Sequence, residues 1–583
     1  MARVIGLITL LFFAFNASGQ QFDSKRITAW NQAGTSSPVL APSNVIDITE
    51  FGADNTGASS CNDAFDAAKS SLNGASGTIY FPTGLFRFDQ TINLPDSVFI
   101  KGESSETELV FDLDGSGHCI LMNGSVASQE YSLVQDATKG TYQIELADAS
   151  ALEVADYIRI SGFDEDYMFS SWAYGTLGQL IQITEINGNT LYLADPLTHS
   201  YPLSRSPIVK KVNPRVAAGV ECLKISREDA TTGQTDNILM NYATNCVVRN
   251  IESINCNFGH VVMQNSFHNT VESSYFHHAH AYGGGGQGYG VVAQLTSCFN
   301  LIQNNIFDHL RHSMLLQAGA NANVFGYNYS TDPYWQDGFL PSNSAGDAVL
   351  HGNYTTMNLF EGNVTQNIVI DASHGSNGPF NTFFRNRAEL YGFFSDSGTP
   401  TDSMNVVGNE ITNSGFPYGL FMLNGNGHYS FGNNHFGTVT PQGTSNLGVN
   451  TLYLNEAALP PFLSNELLPI IGYPLTMNEK TIPAENRFEN EEYVSCSNTV
   501  VTAVTSVYSE PELTPYVSEM VLHLPETILQ TDVTVYNMNG QRLWEQKSVS
   551  TLTALPNSLS NGIYIIQCHS KKDVHNIKVL VAR

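Results

Sequence analysis

Asn300-Leu-Ile-Gln-Asn-Asn305 and Asn323-Val-Phe-Gly-Tyr-Asn328 are two copies of a phrase that recurs eight times between residues 245 and 436. The copies begin at residues 245, 269, 300, 323, 358, 381, 404 and 428, so most spacings are 23 or 24 residues and two are 31 and 35. A period near 23 with alternating apolar positions is typical of a solenoid of short strands. Asn suits the turns and can form ladders of hydrogen bonds between coils. We predict an all-β fold, a right-handed parallel β-helix.

The composition limits the partners of the chain. It has 583 residues, of which 11% are aromatic and 14% charged, and its formal net charge is −28. This aromatic content indicates a folded protein. The negative charge argues against nucleic acid and against an anionic membrane surface as partners, although a local site can still bind an anion.

The first residues have the features of a secretory signal peptide. Arg3 precedes an apolar run over residues 4–15, and small residues follow up to Gly19, so we predict a signal peptide over residues 1–19. The apolar run is too short to cross a membrane, and no later segment has 18 consecutive apolar residues. We therefore expect no transmembrane segment. The polar lead over residues 20–44 shows no clear structure.

The end of the chain predicts a separate module. Residues 489–515 are polar and favour a linker, and residues 516–583 contain short alternating strands with a turn at Asn539-Gly540, which favours a small β-sandwich. This module resembles the C-terminal sorting domain of the type IX secretion system of Bacteroidetes. The resemblance implies that the type IX secretion machinery is a partner and that the protein is secreted or lies on the outer cell surface. A carbohydrate-binding sandwich is the alternative.

The first coils carry a more specific resemblance. Phe51-Gly-Ala-Asp54, a capping helix predicted over residues 63–72, Ile79-Tyr-Phe-Pro82 and Ile100-Lys-Gly102 together resemble the N-terminal signature of the pectate-lyase-like superfamily. That superfamily includes polysaccharide lyases, polygalacturonases and phage depolymerases. The resemblance covers residues 45–488 and implies a parallel β-helix that acts on polysaccharide. It does not fix the reaction, because this scaffold hosts several chemistries.

Residues 125–220 interrupt the repeat. Strand-like segments surround an aromatic loop at Tyr167–Tyr174, which indicates a β-rich insertion. It is either one wall of a substrate groove or a purely structural excursion.

The two over-long repeats locate a candidate site. Their extra residues fall at one corner of the coil, and the coil between them carries Arg311 and His312 at that corner. Since coils lie about 4.8 Å apart, His280, Arg311, His312, Tyr334 and Trp335 are expected to be neighbours. Arg311 is also one of few cations available, because residues 225–479 contain no lysine.

These residue types suit β-elimination from an acidic, uronate-containing or sulfated polysaccharide. His280 or His312 would be the base, Tyr282 or Tyr289 the acid, and Arg311 the cation that neutralises a substrate carboxylate. A further set of polar and aromatic residues is predicted to contact the substrate: Gln294, Gln317, Tyr334, Trp335, His351 and Asp371.

Two other functions stay open. Asp347 and Asp371, on successive coils, could act as the two carboxylates of a polygalacturonase-like hydrolase, and a solenoid with aromatic loops could bind glycans without cleaving them. Calcium, which some members of the superfamily use, needs several oxygen ligands, for which Asp337, Asp347 and Asp371 are the candidates. No other metal or cofactor is predicted, and we expect a monomer.

Overall fold

The computed structural model describes residues 22–36, 39–336, 341–444, 447–473 and 480–496, and the strands between residues 516 and 581. These residues form two compact units, 1–497 and 498–583. The predicted signal peptide over residues 1–19 lies outside the described residues, as does most of the predicted linker.

The first unit is a right-handed parallel β-helix, which confirms the predicted fold class. One face is a twelve-stranded parallel sheet. Its strands are Val45–Asp47, Gly77–Tyr80, Val98–Lys101, Gly219–Glu221, Val247–Arg249, Thr270–Glu272, Leu301–Gln303, Val324–Gly326, Leu359–Glu361, Thr382–Phe384, Asn405–Val407 and Tyr429–Phe431.

The other two faces merge into one sheet of 21 strands, because the long strands Val364–Ile370 and Arg387–Ser395 span the corner between them. The remaining strands of this sheet are Thr56–Ser60, Gly84–Phe88, Ile92–Asn93, Thr107–Phe111, Ile120–Asn123, Lys224–Arg227, Ile238–Asn241, Glu252–Cys256, Gly259–Gln264, Tyr275–Ala279, Tyr289–Gln294, Ile306–Asp308, His312–Leu316, Tyr329–Thr331, Ala348–Leu350, Glu410–Ile411, Leu420–Met422, Asn433–His435 and Thr438–Thr440.

Stacked apolar side chains fill the inside of the coils. Phe325, Phe360 and Phe383 occupy equivalent positions in three successive coils, and their ring centroids are 5.1 and 4.9 Å apart. All three side chains are fully buried. The alternation in each repeat therefore sets which residues enter the core and which face outward.

The recurring Asn residues form two ladders of hydrogen bonds, as predicted. In one ladder Asn328 donates through Nδ2 to Asn363 Oδ1 at 3.0 Å and to the Ile302 carbonyl at 2.9 Å, and its Oδ1 accepts from the side chain and the backbone N–H of Asn305. Asn300, Asn323 and their neighbours repeat this pattern at the other edge. Every polar atom of these buried amides is thus paired.

The insertion that interrupts the repeat, predicted over residues 125–220, forms a separate antiparallel sheet. Its seven strands are Ser125–Val126, Tyr131–Ser132, Gln143–Glu145, Tyr157–Ser161, Gly178–Asn187, Thr190–Leu193 and Ile208–Asn213. Ile158, Ile160 and Val209 point into an apolar core of the insertion itself. The coils resume with the short pair Arg215–Val216 and Ala243–Thr244 and with Gly219–Glu221.

The helices cap and brace the solenoid. The α-helix predicted over residues 63–72 is present as Asn62–Ser71 and buries Ala64, Phe65 and Ala68 over the first coil. A second α-helix is Pro483–Glu489, and the short 3-10 helices of the described residues are Ser24–Arg26, Trp30–Gln32, Ile48–Phe51, Ser171–Ala173, Leu203–Arg205, Ser342–Ser344 and Pro461–Leu463.

Residues 22–36 and 39–44 of the polar lead follow a defined path, which corrects the expectation of no clear structure. Arg26 bonds to the Ser403 carbonyl, Trp30 Nε1 donates to the Met357 carbonyl at 2.6 Å, and Gly34 N–H donates to the Phe299 carbonyl. The segment therefore runs backward along several coils as a strap. Little in the amino-acid sequence indicates this strap, because it is held by single contacts and has no repeat of its own.

The solenoid also ends earlier than predicted. The last coil strands are Leu420–Met422 and Asn433–His435, followed by the antiparallel Thr438–Thr440, whereas the parallel β-helix implied by the resemblance extends to residue 488. Described residues between 447 and 496 instead pack back along one face, where Tyr453 and Ile470 are buried.

The second unit contains a three-stranded and a four-stranded antiparallel sheet. The strands are Tyr516–Ser518, Val521–His523 and Leu552–Ala554 in the first, and Thr531–Asn537, Arg542–Val549, Gly562–His569 and Val574–Val581 in the second. Among the described residues of the whole chain, no helix has the length and apolarity that a membrane crossing requires.

Candidate active site

A groove of about 490 Å³ runs along the outside of the β-helix. Its floor is the column of polar residues that end successive strands. Gln264 pairs in register with Gln294, and Leu350 pairs with Ile370, so that His351 lies beside Asp371. The groove is lined by Trp172, Gln234, Phe258, Gln264, Gly285, Gly286, Tyr289, Gln294, Leu295, Arg311, Gln317, His351, Ser373 and His374.

His351 and Asp371 form a close pair in this column. His351 Nδ1 lies 2.6 Å from Asp371 Oδ2. Burial alone would raise the pKa of Asp371, but His351, the Ser373 N–H and His312 outweigh it and lower the pKa. No described residue bonds to His351 Nε2, which leaves that atom available to a ligand in the groove.

Two further imidazoles flank the pair. The ring centroid of His351 is 5.6 Å from that of His312 and 4.9 Å from that of His374. His312 Nδ1 donates to the Gly346 carbonyl at 2.9 Å, and burial, with the charges of Arg311 and His351, lowers its pKa to about 3. His312 is therefore neutral near pH 7, and it does not line the groove.

Arg311 supplies a positive charge to the groove without a carboxylate partner among the described residues. It donates to the Gly283 carbonyl and lies over the rings of Tyr289 and Trp335, at 5.7 and 5.5 Å from their centroids. Its Nε is buried and has no hydrogen-bond partner. In contrast, Arg387 is paired with Glu410 at 2.9 Å. Arg311 is thus free to pair with an anionic ligand.

Tyr289 can serve as a proton donor at neutral pH. It lines the groove, and Phe258 packs edge-on against its ring at 5.1 Å. Burial raises the pKa of Tyr289 more than the nearby Arg311 lowers it. The hydroxyl therefore keeps its proton, and no described residue bonds to it.

Other residues predicted for the site do not line the groove. His280 Nε2 donates to the Arg227 carbonyl at 3.0 Å, and Tyr282 Oη accepts the Ala279 N–H at 2.9 Å. Tyr334 packs against Tyr282, with ring centroids 5.0 Å apart. The structure thus brings Arg311, His312 and Trp335 together but directs His280, Tyr282 and Tyr334 to other partners.

Three parts of the groove were not among the residues predicted to form the site. Trp172, from the aromatic loop of the insertion, forms a wall and meets the ring of His374 edge-on at 5.8 Å. His374 follows Asp371 by three residues, so the polar column was a usable signal for it. Gly286 has a φ of +85°, and a Cβ there would lie 2.6 Å from the Phe258 ring, so only glycine fits this position.

The carboxylates are arranged differently from the hydrolytic prediction. Asp347 is buried and accepts bonds from Ser330 Oγ and the Asn367 N–H, and burial raises its pKa to about 7. It does not line the groove. The carboxylate that interacts with Asp371 is Asp396, whose pKa is raised by burial and by Asp371.

The described part of the chain holds no ligand cluster for a metal ion. Among the described residues, no group of three or more His, Cys, Asp and Glu side chains is placed to hold one. Asp337, one of the predicted calcium ligands, lies outside the described residues.

Comparisons with known proteins confirm part of the resemblance seen in the sequence. A family model described as rhamnogalacturonase A/epimerase, pectate lyase-like, matches residues 45–141. The capsule K1-specific depolymerase of Klebsiella phage K64-1 is 27% identical over 175 residues, or 28% of this chain and 19% of that protein. The chain thus spans about a fifth of the length of this curated relative.

A solved structure shares the fold. The tailspike protein gp49 of Pseudomonas phage LKA1 superposes with a TM-score of 0.50 at 14% identity, covering 63% of this chain and 70% of that one. At this identity the likeness concerns the fold alone. Residues 45–141 therefore carry a pectate-lyase-like sequence signature, on a chain that shares its parallel β-helix with a phage tailspike.

Proposed function

We propose that this protein is an enzyme that cleaves an acidic polysaccharide by β-elimination in the groove around His351. The observation that carries the proposal is the His351–Asp371 pair, 2.6 Å apart, whose second imidazole nitrogen is available in the groove. A carboxylate behind an imidazole orients it and stabilises the charge it acquires when it takes a proton.

The proposed step starts at a uronate sugar. His351 Nε2 takes the proton from C5, next to the sugar carboxylate, and Arg311 pairs with that carboxylate as negative charge builds on it. The C4–O bond then breaks, a C4=C5 double bond forms, and the leaving oxygen takes a proton from Tyr289 Oη. Proton transfer from His351 to Tyr289 through solvent restores both groups.

The roles of the neighbouring residues follow from their chemistry. Gln294 and Gln317 bond to each other on the floor of the groove, and each keeps polar atoms that can hold sugar hydroxyls. Trp172 offers a half-exposed aromatic face, on which sugar rings commonly stack. The likeness to a capsule-specific depolymerase supports polysaccharide as the substrate class.

Hydrolysis is the second candidate, and the proximity of Asp371 and Asp396 favours it. Asp371 has a lowered pKa and Asp396 a raised one, which is the division expected of a base and an acid. In this scheme Asp371 would activate water and Asp396 would protonate the leaving oxygen. The pair replaces the Asp347–Asp371 pair expected from the sequence.

We further propose that the protein acts outside the cell. The proposal rests on the signal-peptide features of residues 1–19 and on the resemblance of residues 516–583 to a type IX sorting domain. Removal of residues 516–583 should keep the protein in the cells of a host that has this secretion system. Release of the truncated protein into the medium would contradict this route.

A product analysis tests the reaction. The purified protein is incubated with polygalacturonate, alginate, a glycosaminoglycan and a sulfated fucan, and both ultraviolet absorbance of unsaturated ends and total reducing ends are followed. Elimination predicts that the two signals rise together for at least one polymer. Reducing ends without absorbance would replace elimination by hydrolysis, and binding without either signal would leave only a glycan-binding protein.

A further inference from the structure

A second cavity of about 480 Å³ adjoins the groove and is called the side cleft here. One wall is the insertion sheet, with Arg159 and Lys210, and the other is the β-helix, with Tyr242 and Asn265. Trp172 and Leu295 line both the groove and the side cleft. A chain bound in the groove can therefore extend past Trp172 into this space.

We propose that the side cleft is an anion-binding subsite for a carboxylate or sulfate on a sugar unit beside the one in the groove. This inference rests on the proposed function, because it assigns a further contact to the same bound polysaccharide. The arrangement of Arg159 and Lys210 supports this assignment.

Arg159 and Lys210 are direct cross-strand neighbours. Strands Tyr157–Ser161 and Ile208–Asn213 are antiparallel, and their register pairs Arg159 with Lys210. The alternate residues Ile158 and Ile160 enter the core of the insertion, so Arg159 and Lys210 share the opposite face. Like charges directly opposite each other destabilise a sheet. An anion between them would remove this repulsion.

The protein itself neutralises only part of this charge. Arg159 has no carboxylate within ion-pair distance among the described residues. It donates to the Gly175 carbonyl and to Thr296 Oγ1, and its buried Nε has no hydrogen-bond partner in the described part of the chain. Lys210 is paired at 2.9 Å with Glu130, whose side chain is 53% exposed. One positive charge therefore remains unbalanced at the side cleft, in a chain whose net charge is −28.

The rest of the side cleft suits a sugar that carries such an anion. Trp172 and Tyr174 are half-exposed aromatic residues at its edge, and Asn265 supplies an amide at the β-helix wall. Aromatic faces take the apolar side of a sugar ring, and amides bond to its hydroxyls. The cleft thus combines charge with the two contacts that carbohydrate recognition commonly uses.

Lys210 and Lys211 provide a matched test. Both lie on the same strand, both are paired with a carboxylate, and their exposures are similar, at 30% and 34%. They point to opposite faces, and Lys211 does not line the side cleft. Lys210→Ala and Arg159→Gln should each weaken binding about tenfold, and Lys211→Ala should change it little.

Affinity electrophoresis of the full-length protein and these variants measures binding in gels that contain polygalacturonate, a sulfated galactan or neutral dextran. We expect retardation by one of the two anionic polymers, which identifies the anion as carboxylate or sulfate, and none by dextran. Equal binding by wild type, Lys210→Ala and Arg159→Gln would overturn the inference, as would a wild type that no anionic polymer retards. Should Arg159→Gln misfold, Lys210→Ala decides the outcome.

Cleavage kinetics separate this inference from the proposed function. On a cleaved polymer the side-cleft variants should raise KM about tenfold and leave kcat within about twofold, because their residues do not touch the reacting atoms. If no polymer is cleaved, the proposed function fails, while the binding comparison still tests the subsite. If cleavage occurs and KM is unchanged in both variants, the subsite fails and the proposed function stands.

Discussion

At the scale of single residues, His351 differs from His374, the other imidazole in the lining of the groove, in having a carboxylate partner. Asp371→Asn keeps the size of that partner but removes its charge. We expect kcat to fall about 10²- to 10⁴-fold, because the imidazolium formed on proton abstraction loses its stabilisation. Because the pKa of Asp371 is lowered, this carboxylate stays ionised at mildly acidic pH, and its protonation should not limit activity there.

The control for this variant is Asp148→Asn, which changes an exposed carboxylate on the insertion and should leave kcat unchanged. Initial rates of both variants against pH, with circular dichroism to verify folding, make the comparison. An Asp371→Asn protein that folds and cleaves at the wild-type rate would remove Asp371 from the mechanism.

A second imidazole, His268, should make stability depend on pH. Its Nε2 lies 2.8 Å from Asp195 Oδ2 and its Nδ1 3.1 Å from the Gly34 carbonyl of the strap. Burial lowers its pKa, but Asp195 and the strap carbonyls outweigh this and raise it overall. The stabilisation is therefore full below the unfolded histidine pKa of about 6.5 and is lost as pH rises through the folded pKa.

Urea unfolding of wild type and His268→Gln from mildly acidic to alkaline pH measures this contribution. The difference in unfolding free energy should be largest at low pH and should shrink above neutrality. His435→Gln, at a histidine with no carboxylate partner among the described residues, is the control. A His268→Gln difference that is the same at every pH would contradict the assignment.

At the scale of elements, the Asn ladders hold successive coils in register. Asn328→Ala would leave the Ile302 carbonyl and the Asn305 side-chain and backbone N–H groups without partners. Each buried group left unpaired costs about 1–3 kcal/mol, so we expect a loss of about 3 kcal/mol or more in unfolding free energy. Chemical denaturation gives this value.

Asn93→Ala is the matched control for the ladder. Asn93 is exposed and makes one long bond to the Thr91 carbonyl, so its removal should change stability by less than about 0.5 kcal/mol. Similar losses in the two variants would mean that the ladder does not stabilise the coils.

The same elements explain what sequence could predict. The coils could be predicted from the repeat around Asn300 and Asn323, because every coil buries the same positions. Gln294, Gln317, His351 and Asp371, all predicted to contact the substrate, lie in one column of the coils, since residues at equal positions stack. The repeat could not place His280, because that residue lies on a loop whose path depends on contacts such as the Arg227 carbonyl.

At the scale of the whole molecule, the N-terminal strap ties distant coils together. Trp30 is 2% exposed and its indole N–H donates to the Met357 carbonyl. Trp30→Ala should lower unfolding free energy by about 3–5 kcal/mol, because it removes a large buried side chain. Leu40→Ala, at a residue that is 72% exposed, should change it by less than about 0.5 kcal/mol. Equal melting temperatures for the Trp30→Ala variant and wild type would show that the strap is not an anchor.

Long-range packing of this kind was beyond sequence reasoning. Three features join residues that are far apart in the chain: the strap, the returning segment after residue 447 and the contact of Trp172 with His374. No sequence repeat predicts these contacts. The repeat therefore predicts only one part of the groove. Its floor comes from the coils, and its wall comes from the insertion.

Cleavage of polysaccharide at His351 is tested by comparing two histidine variants. Initial rates of bond cleavage on the substrate found by the polymer screen are measured for His351→Ala and for His280→Ala, with folding verified for both. We predict a loss of at least about 10²-fold for His351→Ala and a rate near wild type for His280→Ala, whose imidazole bonds to the Arg227 carbonyl. A folded His351→Ala protein that cleaves at the wild-type rate, with activity lost in His280→Ala, would contradict the account.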